Sequence, residues 1–221
     1  MAGKRRKQSG RYRGEGLCAG SVLTALCLVI FLFTLAVVLV LQFRWLYYTD
    51  ITLLSLESAS GMSAADIRAN YDALIDYNLL WHRGSLVFPT LPMSAGGAIH
   101  FQEVKRIFDG IWIACIVSGI LSLFLLIRQH RLGRRKHFTI AGILAIVIPA
   151  ILGILVAIDW ERFFVTFHKL AFRNDFWLFD PATDPVILIL PDTYFLQCAV
   201  GILAIILIGA VVFLLLGRRR K

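Results

Sequence analysis

Five histidines stand in this 221-residue chain, and they are the residues from which proton-transfer chemistry could be built. Imidazole titrates nearer neutrality than any other side chain, so a histidine kept neutral can take up a proton and hand it on. His130 and His137 fall among arginines and lysines and read as bystanders at a lipid surface, while His82 ends a loop helix and reads as solvated. His100 and His168 differ, because each stands at the edge of an apolar or aromatic segment. Glu103 follows His100 by three residues, shares its helical face and could orient its imidazole; an ordinary solvated helix-end carboxylate fits equally. Asn174, Asp175 and Trp177 follow His168 closely and read as builders of a site rather than actors in it. Spacing alone leaves open whether the two histidines are hydrogen-bonded structural residues or a two-histidine proton-transfer site. Neither a third histidine nor any of Cys18, Cys27, Cys115 and Cys198 joins them at metal or haem spacing, so no metal and no cofactor is expected. The cysteines read as packing residues. No Gly-x-Ser-x-Gly elbow, His-Glu-x-x-His pair or phosphate-binding loop is present.

The elements that must position these residues are membrane spans. Hydrophobic residues make up 58% of the chain and charged residues 17%, against roughly 45–50% and 25% in soluble domains. A helix needs about 20 predominantly apolar residues to cross hydrocarbon, and four stretches qualify: 17–41, 107–127, 140–158 and 194–216. Recurring small residues in them (Gly119, Gly142, Gly153, Gly201, Gly209) would let helices approach closely. The first span has a basic start but too long an apolar run for a cleaved signal, and Arg44 and Trp45 follow it instead of a small-residue cleavage site. The fold class expected is therefore an all-α membrane protein of four transmembrane helices.

Charge orients the spans. The tail 1–16, the loop 128–139 and the tail 217–221 hold 15 of the 23 basic residues and one of the 14 acidic residues, Glu15. Positive charge marks the cytoplasmic side, so both termini are expected in the cytoplasm and the loops 42–106 and 159–193 outside. Anionic inner-leaflet lipid accounts for the net charge of +9, and no nucleic-acid partner is expected.

The two outer loops are expected to form a small cap of helices and short strands. Ser63 through Asp66 resembles a capping box with Asp in place of Glu or Gln, opening a helix that runs to about Leu80. Residues 86–91 and 186–190 read as short extended pieces. Residues 160–172 place aromatic or apolar side chains at 160, 163, 164, 167, 170 and 171, the pattern of an amphipathic helix lying at the interface.

Five stretches, together with the span layout, carry a resemblance that covers nearly the whole chain. They are Asn70-Tyr71 through Tyr77; the run 99–104 (Ile-His-Phe-Gln-Glu-Val); the run 167–177 (Phe-His-Lys-Leu-Ala-Phe-Arg-Asn-Asp-Phe-Trp); and the pieces 180–184 and 190–195. With the span layout, they resemble the lipoprotein intramolecular transacylases, a family of four-span bacterial membrane proteins. One departure is Glu103, where Asp is expected. The resemblance implies an acyltransferase of the cell membrane. It would move the sn-2 acyl chain of a diacylglyceryl lipoprotein to the α-amino group of the lipoprotein's N-terminal cysteine, leaving a lyso-form product. It further implies His168 as the proton-transfer residue with His100 assisting, and membrane lipids around the spans. A non-catalytic membrane scaffold or assembly partner, or a related lipid hydrolase, remain the other readings.

Overall fold

The computed structural model describes residues 18–218. The basic tail 1–16 and Arg219, Arg220 and Lys221 lie outside them. The order of helices is α1 (Ala19–Gln42), α2 (Arg44–Leu53), α3 (Leu56–Ser60), α4 (Ala64–Tyr77), α5 (Ala95–Arg131), α6 (Lys136–Ile158), α7 (Trp160–Ala171) and α8 (Asp192–Gly217). Four of them, α1, α5, α6 and α8, are long and apolar enough to cross a membrane. The protein is an all-helical, multi-pass membrane protein. Apolar side chains such as Ile120, Phe124 and Ile208 stay exposed on the spans, because lipid rather than protein is the partner of that face.

Helix α1 is central, touching α5, α6 and α8, and α6 also runs along α8. Absent side chains set these approaches. A Cβ on Gly119 would meet the Phe31 ring at 2.9 Å, one on Gly142 would meet Leu214 at 2.7 Å, and one on Gly209 would meet Leu32 at 2.5 Å. Gly153 faces open space, so the close-contact reading does not extend to it. Near the basic loop, the Gln129 amide donates to Thr24 Oγ1 (3.2 Å), tying α5 to α1. Gly133 (φ +64°) then turns the chain into α6, its left-handed backbone allowing the Arg134 N–H to reach the Gln129 carbonyl (3.0 Å). His137 corrects the reading of a lipid-surface bystander: it is buried at the start of α6 beside Phe138.

The segments between spans form a cap with its own core. Tyr47 of α2 stacks on Tyr71 of α4 (centroids 3.7 Å, 7° apart), and the Tyr47 hydroxyl donates to the Ile189 carbonyl (2.7 Å). The Tyr71 and Tyr194 hydroxyls share a 2.7 Å hydrogen bond. The cap thus spans both long interspan loops and the first turn of α8. Ser63 caps α4 by accepting from the Asp66 N–H (3.1 Å), while the helix ends at Tyr77, short of Leu80. Asn70 bonds Thr90 twice, holding the 86–91 segment against α4. That segment has no ladder partner, and Pro185–Leu188 is a 3-10 turn. Among the described residues the cap therefore has no strand: Pro185, at the first position of the turn, fixes a helical φ, and the short-strand reading is corrected.

Helix α5 has 37 residues, about 55 Å at 1.5 Å per residue, whereas hydrocarbon is about 30 Å thick. The helix is longer than one crossing requires, and its N-terminal turns, from Ala95 onward, lie against Phe176 and Asp184 of the second loop. These turns carry His100 into the cap.

Candidate functional site

Local contacts bring the N-terminal turns of α5 against the loop that follows α7. Ser94 caps α5 by accepting from the Gly97 N–H (3.0 Å). The buried Asp184 carboxylate accepts from the Ser94 N–H (2.7 Å) and from the Thr183 hydroxyl (2.9 Å). A Cβ on Gly97 would clash with Asp184 Oδ1 and one on Gly96 would lie 3.0 Å from the Phe176 ring. Only glycine admits the second loop this closely. Further along the same helix, Glu103 accepts from the Asn174 amide through both oxygens (2.9 and 3.1 Å).

Helix α7 supplies the second histidine. Asp159 caps it by accepting from the Arg162 N–H (2.9 Å). Its aromatic side chains gather on one face, as the spacing predicts for an interfacial helix, and Leu170 stays exposed.

The two histidines meet. Their ring centroids are 6.1 Å apart, tilted 34° to one another. Hydrogen-bond reach is about 3 Å, so one substrate group can lie within reach of both rings. His168 Nδ1 lies 2.8 Å from the Phe164 carbonyl oxygen. A carbonyl can only accept, so Nδ1 carries the proton in the neutral ring and Nε2 keeps its lone pair. Aromatic rings surround the imidazole: Phe164 at 4.2 Å, Phe172 at 5.6 Å and Trp177, stacked, at 4.8 Å. His100 is buried against Phe172 (4.7 Å) and Phe179 (5.4 Å), and its Nδ1 has no hydrogen-bond partner among the described residues.

Burial governs the electrostatics. It pushes the His100 imidazole down to about 4, with the charge of His168 adding to the effect. Burial also lowers His168, opposed by the Phe164 carbonyl and by the Asp192 carboxylate. Both rings are therefore neutral near pH 7, the state in which a histidine can accept a proton.

The residues singled out in the sequence divide into groups. His100, His168 and Trp177 come together, with Trp177 buried against His168. Glu103 does not bond His100, which corrects the orienting role read from the i,i+3 spacing. Its carboxylate turns to Asn174, an amide brought alongside from loop two. Asn174 also accepts from the Phe176 N–H (3.1 Å), shaping the turn before Trp177. Asp175 is exposed on that turn, where its carbonyl accepts from the Leu178 N–H (3.0 Å). Phe164, Phe172, Phe179 and Asp184 were not singled out. The aromatic density of loop two pointed to the first two, but nothing local in the sequence pairs Asp184 with Ser94. Among the described residues, no group of three or more His, Cys, Asp or Glu gathers where one metal ion could be held.

The overall fold is shared with known proteins. The family model for the lipoprotein intramolecular transacylase Lit matches residues 22–195. A solved structure of the membrane-integral lipoprotein intramolecular transacylase Lit from Bacillus cereus is 36% identical, covers 88% of this chain and 90% of its own, and has a TM-score of 0.86. A second structure of that protein, with one histidine replaced by arginine, is 35% identical, covers 90% of this chain and 88% of its own, and has a TM-score of 0.82. No curated protein matches the chain. The four spans, the loop-two run and the family match over most of the chain lead to one conclusion: it belongs to the lipoprotein intramolecular transacylase family.

Proposed function

We propose that the chain moves the sn-2 acyl chain of a diacylglyceryl lipoprotein onto the α-amino group of the same lipoprotein's N-terminal cysteine, using His168 and His100 at the outer membrane face. The observation that carries this reading is the pair of neutral histidines 6.1 Å apart in an aromatic enclosure, in a chain of this family.

The substrate brings its own nucleophile, so the protein needs no serine or cysteine for that role. It must remove a proton from the amine, stabilise charge on the ester oxygen and return a proton to the glyceryl oxygen. His168 suits the first and last steps, because Nδ1–H is committed to Phe164 and Nε2 is left to accept and then give. His100 assists from beside it. Acyl donor and acceptor belong to one molecule, so holding them together supplies much of the rate. Glu103 and Asn174 support that by clamping the loop of Trp177 to the helix of His100.

Orientation belongs to the same proposal. The concentration of basic residues in 1–16, 128–139 and 217–221 supports cytoplasmic termini. The opposite, outer face carries the cap and both histidines, where a lipoprotein's headgroup and N-terminal cysteine would be met.

Mass spectrometry of a reporter lipoprotein tests the activity. In a host lacking N-acylation, expression of this chain is expected to yield a reporter with an N-acylated cysteine and one remaining glyceryl ester. A reporter that stays diacylglyceryl with a free amine overturns the reading. Free fatty acid without N-acyl peptide makes the protein a hydrolase instead.

A further inference from the structure

Trp177 is nine-tenths buried (8% exposed), and its indole Nε1 has no hydrogen-bond partner among the described residues. Indole N–H can only donate, so only an acceptor brought in from outside these residues satisfies it. Buried polar groups without partners are rare and require an explanation. Packing does not supply one, since phenylalanine would stack on His168 without burying a donor. The Trp177 ring lies 4.8 Å from His168, with the two planes 29° apart. His100 Nδ1, in the ring 6.1 Å from His168, is likewise buried without a partner among the described residues. Around the histidine that has one nitrogen to spare, two polar groups thus lack partners among the described residues, while the phenylalanines beside them offer nothing to bond.

We propose that the Trp177 indole N–H is a catalytic hydrogen-bond donor to the acyl carbonyl oxygen, holding it as it becomes an oxyanion. The proposal rests on the reading of the His168 site given above. As the amine nitrogen bonds to the ester carbonyl carbon, the C=O π pair moves onto oxygen and one amine proton passes to His168 Nε2. The carbon–oxygen bond to the glyceryl group then breaks, its electron pair leaving with that oxygen. The glyceryl oxygen takes the proton from His168, and the C=O bond re-forms as an amide. Trp177 gives up no proton. Its N–H···O bond strengthens while the oxygen is anionic, which lowers the barrier rather than tightening ground-state binding.

Trp177→Phe keeps the ring against His168 and removes only the donor. Steady-state kinetics of the purified full-length protein on a diacylglyceryl lipopeptide, run beside His168→Ala and with melting temperatures for each, test the proposal. The expected result is a fall in kcat of roughly 100-fold, as for loss of one oxyanion donor, with KM and melting temperature held. An unchanged kcat in Trp177→Phe overturns the proposal, as does a raised KM alone, which reports uniform binding. A fall in activity that tracks a lower melting temperature overturns it too, making Trp177 a packing residue. If His168→Ala keeps wild-type activity, the site reading itself fails and this proposal goes with it. If His168→Ala is inactive while Trp177→Phe is fully active, only the role of Trp177 is lost.

Discussion

A histidine that moves protons differs from one that packs in which ring nitrogen is left over. In His168 the Phe164 carbonyl claims Nδ1–H, so Nε2 is the basic atom, and burial keeps the ring's pKa below the ordinary 6.5. The base must be unprotonated, so the enzyme's own contribution to kcat/KM should persist below neutrality. It should then fall as acid protonates Nε2, with a midpoint below that of a free imidazole. A pH–rate profile checks this once the substrate amine's own titration, at about 7.7–8.0, is divided out; a remaining enzyme limb centred at or above pH 7 contradicts it. His100 carries a stability prediction. Its folded pKa of about 4 lies below its unfolded value of 6.5, so between those values the unfolded chain binds the proton that the folded chain refuses. Stability should therefore decline as pH falls from 6.5 toward 4. Melting curves across that range should show a shallower decline for His100→Gln than for the unsubstituted protein.

At the scale of elements, the site depends on how tightly the second loop seats on the N-terminal turns of α5. A methyl group on Gly97 would strike Asp184 Oδ1, with the Asp184 carboxyl carbon at 3.1 Å and Met93 at 3.3 Å. Gly97→Ala should destabilise by about 1–3 kcal/mol and lower activity by moving His100. Gly153→Ala, with nothing within 4 Å, should be neutral or stabilising, and thermal denaturation distinguishes the two. Asp184→Asn should cost about 1–2 kcal/mol through the weakened bond to the Ser94 N–H. The spans, the α7 amphipathic helix and the Ser63 cap were legible in the sequence because each is written in local periodicity or in one capping residue. Helices α2 and α3 were not, because what holds α2 is distant: Tyr47 on Tyr71, and the Arg44 guanidinium on Asp72 and Asp76. The misassigned partner of Glu103 has the same cause. Spacing on one helix names His100 as a neighbour, but Asn174 arrives from 71 residues away. From spacing alone the histidine pair was legible only as two boundary residues, and its joint role came from the family resemblance. Their 6.1 Å separation follows from the length of α5 and the turn into α7, which no local pattern encodes.

Across the whole molecule, the account joins topology to chemistry. Fifteen basic residues on one side are expected to hold the termini and the α5–α6 turn in the cytoplasm. A membrane-impermeant thiol reagent should then label Arg83→Cys in intact cells and Arg131→Cys only after lysis. The reverse pattern would put both histidines on the cytoplasmic face, away from the lipoprotein N-terminus. The central claim is that the His168–His100 pair carries out the transfer. Its most direct test is the mass-spectrometric fraction of reporter lipoprotein converted to the N-acyl lyso form by wild type, His168→Ala and His100→Ala at equal membrane abundance. The account predicts conversion by wild type, loss of conversion by about 100-fold or more for His168→Ala and a smaller but clear loss for His100→Ala. Wild-type conversion persisting in His168→Ala would contradict it.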